Sequence, residues 1–183
     1  APVDGDNDGD LDGPFATGSG RFGIRTLGAH SGKLINSGTI TVEGNDSAGI
    51  WLGGPLTGAF THDGKTTVVG DRSVAVRADA ITGNVRLAGT ISAQGRGANG
   101  AVFAGDVTGA MVVQGSITST GYRFTTPPAI LSRLDADDLL QGGSALVIEG
   151  NVSGGIVLAI PPKDNSTTDP DEAAAEMVAG RTA

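Results

Sequence analysis

The chain has 183 residues, no cysteine, 31 glycines and a formal charge of -8. Without cysteine there can be no disulfide, thiolate metal site or cysteine nucleophile. Residues 13 to 122 carry six acids and eight bases, with no Lys/Arg stripe of the kind that neutralises phosphates, which argues against nucleic acid as a partner.

Residues 1 to 13 form an acidic N-terminal segment in which "DGDNDGDLDG" places Asp4, Asp6, Asp8, Asp10 and Asp12 at every second position. Alternate carboxylates with a glycine between them match the first nine positions of an EF-hand loop, which makes these five residues a candidate Ca2+ site. Phe15 stands where the bidentate Glu belongs, so a solvated acidic linker is the other reading. Acidic residues also stand where a signal peptide would be basic. The chain is expected to be a mature or excised segment with no direct membrane span, since no apolar run approaches the roughly 18 residues one needs.

From residue 14 to 160 the sequence repeats. Gly18, Gly44, Gly70, Gly95 and Gly121 are spaced by 26, 26, 25 and 26 residues. Gly38, Gly64, Gly89 and Gly115 follow the same period, as do Gly32, Gly58, Gly83 and Gly109. Between them short apolar pieces alternate with period two, as half-buried strands do. Superposing the repeats gives inward columns: Ile24, Ile50, Val76, Ala101 and Leu146; Thr26, Leu52, Ala78, Phe103 and Ile148; Leu34, Phe60, Val85, Met111 and Ile156; Asn36, His62, Leu87, Val113 and Leu158; and Ile40, Thr66, Ile91 and Ile117. One coil cannot bury its own inner face, whereas a stack of coils can. The prediction is an all-β parallel β-helix of about five coils with a 25 to 26 residue period and three strands per coil. A two-sheet sandwich would leave the constant offset unexplained.

Residues 122 to 143 interrupt the last coil. After Pro127 and Pro128, the apolar residues Ile130, Leu131, Leu134 and Leu139 fit a short helical insert stopped by Gly142 and Gly143. Residues 161 to 183 begin as a Pro- and Ser/Thr-rich linker and end on a second short helical pattern from Asp169 to Gly180.

"NSGTITVEGNDSAGI", from Asn36 to Ile50, resembles the glycine-rich coils in passenger domains of bacterial autotransporters, and the similarity runs on through "VVQGSITSTGYRF" and "LDADDLLQGGSA". The resemblance implies a right-handed β-helix displayed on the outer membrane or secreted by a Gram-negative bacterium. It further implies export by a C-terminal outer-membrane β-barrel of the same polypeptide, and a host-surface or glycan ligand. The expected role is a rigid structural stalk or adhesin-like module rather than an enzyme. The alternative is a carbohydrate-active β-helix enzyme acting on polysaccharide, because similar stalks carry many activities.

Trp51, the sole tryptophan, points outward by the alternation of its strand, with Arg25 and Arg77 one coil away on either side. These three form the candidate binding site, either as a cation–π ladder or as a platform for a sugar. Asp79 and Asp106 fall in turns of adjacent coils with Asn151 aligned to Asp106. Paired carboxylates are the minimum for glycoside hydrolysis, but Asp and Asn are ordinary turn residues, and no catalytic residue is assigned. His30 and His62 have no serine–carboxylate partners, and His62 aligns with inward Asn36 in a polar rung. Thr39, Thr41, Thr67, Thr90 and Thr118 make outward columns like those of ice-binding arrays, interrupted by Lys65.

Overall fold

A computed structural model describes residues 13–14, 16–121, 130, 132, 136 and 138–160. The five aspartates of the proposed Ca2+ segment, most of the helical insert and the helical pattern after residue 161 lie outside the described residues.

The described chain is all strand and turn, wound into a parallel β-solenoid. Its first coil contains β1 (Phe22–Thr26), β2 (His30–Ser31), β3 (Leu34–Asn36) and β4 (Thr39–Glu43). The second contains β5 (Ala48–Leu52), β6 (Leu56–Thr57), β7 (Phe60–His62) and β8 (Lys65–Val69), and the third β9 (Val74–Ala78), β10 (Ile81–Thr82), β11 (Val85–Leu87) and β12 (Thr90–Gln94). The fourth has β13 (Asn99–Phe103), β14 (Met111–Val113) and β15 (Ser116–Thr120), and a fifth is begun by β16 (Leu146–Ile148) and β17 (Ile156–Leu158). Strands stack in the orders β1-β5-β9-β13-β16, β3-β7-β11-β14-β17 and β4-β8-β12-β15. The result is about four full turns with a partial fifth.

The register follows the repeat. Ile24 pairs with Ile50, Ile50 with Val76, Val76 with Ala101 and Ala101 with Leu146. Each predicted inward column is recovered in the same way. The prediction of three faces per coil needs correction, because β2, β6 and β10 form a fourth short sheet. That face continues as single bridges from Ile81 to Val107 and from Val107 to Val152. Two-residue strands leave no room for a visible alternation. A signal was nonetheless present: an apolar residue followed by Thr or Ser and then glycine, as in Leu56-Thr57-Gly58 and Ile81-Thr82-Gly83.

Burial is complete at the middle of the stack. Ile50, Phe60, Val76, Leu87, Ile91 and Phe103 are sealed from solvent, each contributing about 1.5 to 3 kcal/mol before entropy is counted. At the ends the same columns open: Ile24 is 39% exposed and Leu158 is 74% exposed. A residue's contribution is therefore set by its rung.

Glycine is required where turns stack backbone on backbone. A Cβ on Gly64 would fall on the carbonyl oxygen of Gly38, one on Gly89 on that of Gly64, and one on Gly115 on that of Gly89. A second turn repeats a left-handed residue at Gly20 (φ 67°), Asp46 (φ 49°), Arg72 (φ 53°) and Gly97 (φ 64°). Asp46 and Arg72 take this disfavoured conformation while joined by a bidentate ion pair at 2.8 and 2.7 Å, which holds the Asp46 carboxyl below its usual range.

One polar rung crosses the core. His62 is fully buried and pairs with Asn36. Its Nε2 lies 2.8 Å from Thr66 Oγ1, while Nδ1 has no partner. Burial lowers its pKa by penalising the charged ring. Between that lowered pKa and about 6.5, the unfolded chain takes up the proton first. Stability from the neutral ring is thus fully present above about pH 6.5 and is lost as pH falls below it. Urea midpoints should drop between pH 7.5 and 5.5, and a His62→Gln variant should show a smaller drop. Equal drops in both proteins would place the titration elsewhere.

Candidate functional site

The outer face of the β1-β5-β9-β13-β16 sheet carries the only aromatic cluster on the described surface. Arg25, Trp51 and Arg77 are consecutive register partners, so the rung spacing sets one guanidinium on each side of the indole. The Cζ of Arg25 is 5.1 Å and that of Arg77 5.6 Å from the ring centroid, within cation–π range. With both faces covered, Trp51 is not a free stacking platform for a sugar.

Phe22 joins the cluster, its ring 5.4 Å from that of Trp51 and 4.3 Å from the Arg25 Cζ. Strict alternation would have turned Phe22 inward with Ile24. Each of these strands instead bends, so that two consecutive residues face the core. A Cβ on Gly23 would meet Ile40, one on Gly49 would meet Thr66 and Val68, and one on Gly100 would meet Ile117, all from the β4-β8-β12-β15 sheet. The bend brings Phe22, Val74 and Asn99 onto the outer face. The signal is a small residue before the first inward apolar one, as in Gly23-Ile24, Gly49-Ile50, Ala75-Val76 and Gly100-Ala101.

Beside Trp51 and Arg77 this bend opens a groove of about 280 Å³, walled by Val74, Asn99 and Val102 and rimmed by the Asp46–Arg72 pair. Neither Arg25 nor Arg77 forms an ion pair with a described residue, whereas Arg72, Arg86 and Arg96 each face an aspartate. The Nε of Arg77 is buried without a hydrogen-bond partner.

Two of the turn carboxylates, those of Asp71 and Asp106, cap backbone amides of the next coil. Asp106 Oδ1 accepts from the backbone N–H of Asn151 at 2.7 Å. Similarly, Asn45 Oδ1 accepts from the Asp71 N–H at 2.8 Å, and Asp71 Oδ1 from the Arg96 N–H at 2.9 Å. Each of these turn side chains thus caps an amide one coil further on, Asn45 and Asp71 along the corner before β5 and β9 and Asp106 at the corner after β13. Asp79 donates its backbone N–H to the Leu52 carbonyl at 3.1 Å. Among the described residues no three His, Asp or Glu side chains gather to hold a metal ion, and no helix is long and apolar enough to cross a membrane.

A second cavity of about 460 Å³ lies where Gln141, Gly142 and Gly143 meet Gln94, Thr118 and Thr120. Its lining is neutral, and its wall from the insert explains why the repeat columns did not reveal it. On the same sheet, Thr39 pairs with Lys65 and Lys65 with Thr90, so the lysine does interrupt the threonine column. Comparison with family models, curated proteins and solved structures yields no match for this chain.

Proposed function

We propose that the chain is a surface-displayed or secreted segment of a bacterial passenger domain, serving as a rigid stalk with an adhesin-like outer face. The resemblance of residues 36 to 50 to passenger coils motivates this reading, and export would depend on a C-terminal β-barrel of the same polypeptide. The observation that carries it is the engagement of turn carboxylates in rung-to-rung capping: Asp71 and Asp106 hold neighbouring amides. A solenoid organised this way presents its outer side chains at a regular rung spacing, which suits display better than turnover.

Two measurements bear on it. Antibody raised against the coils should label intact cells producing the full-length protein; labelling only after the outer membrane is permeabilised would overturn display. Purified protein should leave polyuronate and neutral glycans uncleaved. Hydrolysis that disappears in Asp79→Asn or Asp106→Asn would establish the enzyme instead.

A further inference from the structure

We propose that the Arg25–Trp51–Arg77 ladder and the groove beside it bind an acidic polysaccharide through its sugar carboxylates. The inference rests on the adhesin-like reading of the outer face and names its ligand class.

Three observations lead there. Both guanidinium groups lie within cation–π range of the indole, and neither pairs with a described carboxylate, so their terminal N–H donors are open to a carboxylate, the partner a guanidinium matches best. Neither arginine has a carboxylate partner among the described residues, whereas Arg72, Arg86 and Arg96 each pair with an aspartate of the preceding coil. Arg77 itself lines the groove, and its buried Nε has no hydrogen-bond partner.

Geometry selects a polymer over a single anion. The two guanidinium groups are separated by two rung spacings, on the order of 10 Å, too far to share one carboxylate. They are aligned along the solenoid axis, so a chain lying along the stack offers each a different acid group. The groove flanks that line, where half-buried Val74 gives apolar surface for sugar ring carbons beside the polar Asn99 and the Asp46–Arg72 pair. Nucleic acid fits less well, because the rings of Phe22 and Trp51 are already covered by guanidinium groups, leaving no free aromatic face on which a base could stack.

Polygalacturonate and its fully methyl-esterified form are the probes, with binding read by titration calorimetry on the whole chain. The acid form should bind, more weakly as salt rises, and the ester should not. Arg77→Gln and Arg25→Gln should each weaken binding roughly tenfold or more. Arg96→Gln removes the same charge from an ordinary ion pair and should leave affinity within about twofold. Thermal melting of each variant guards against misfolding as the cause of loss.

Equal binding of acid and ester, equal loss in Arg96→Gln, or a single-stranded oligonucleotide binding as tightly would overturn the proposal. So would no binding at all, and surface labelling of cells would then still support display. Binding by a protein found only inside cells would support the ligand and remove the display reading.

Discussion

A Val85→Asp chain is expected not to fold. Val85 is 1% exposed and is stacked between Phe60 and Met111 in the middle of the solenoid. A carboxylate there has no cation within the column and no water, and a carboxyl that protonates to escape the charge still lacks partners for its polar atoms. The loss should exceed about 4 kcal/mol, a large share of the roughly 5 to 15 kcal/mol that holds a domain together. In a stack, moreover, the damage reaches both neighbouring rungs. Thr90→Asp, on the outer face beside Lys65, should shift stability by less than about 1 kcal/mol. Circular dichroism and urea midpoints separate the two cases; a native Val85→Asp protein would mean that this column does not form the core.

Gly89→Ala should have the next largest effect, from the smallest possible side chain. The added methyl would land on the Gly64 carbonyl oxygen, which also accepts the Thr90 N–H at 2.9 Å. Overpacking against a flexible side chain can be relieved by a rotamer change, but here the obstacle is backbone fixed from both sides. A cost at or above the usual 1 to 3 kcal/mol of overpacking follows. Gly28 offers the contrast, since a Cβ there meets nothing within 4 Å and its backbone is not left-handed. Gly28→Ala should be neutral or stabilising by up to about 1 kcal/mol through the unfolded state. If the two variants melt alike, close stacking is not why glycine recurs.

These contrasts show which features were legible in the sequence. A constant offset of 25 or 26 residues turns linear positions into spatial neighbours, so the inward columns and the Arg25–Trp51–Arg77 ladder could be located without coordinates. The fourth face was hidden because a two-residue strand has no alternation to detect. Phe22 and the groove were hidden for a different reason: the strand bend breaks period two, and only the small residues at Gly23, Gly49, Ala75 and Gly100 mark it. The Asx caps escaped because Asn and Asp in turns satisfy local rules equally well, and their long-range acceptance of an amide one coil away needs coordinates to be seen. That His62 would sit in the core was apparent from its column, while its unbonded Nδ1 was not.

The parallel stacking also sets how the protein answers to force. Hydrogen bonds between coils run along the solenoid axis, so tension applied at one end of the chain peels an end coil open a few bonds at a time rather than shearing the whole sheet. Each coil released shortens the stack by about 4.8 Å and yields about 25 residues of chain, roughly 85 Å when extended. Inner coils keep their core until their turn comes. Tethered between two surfaces, such a rod would lengthen stepwise under load, dissipating work at every coil while the rest stays folded.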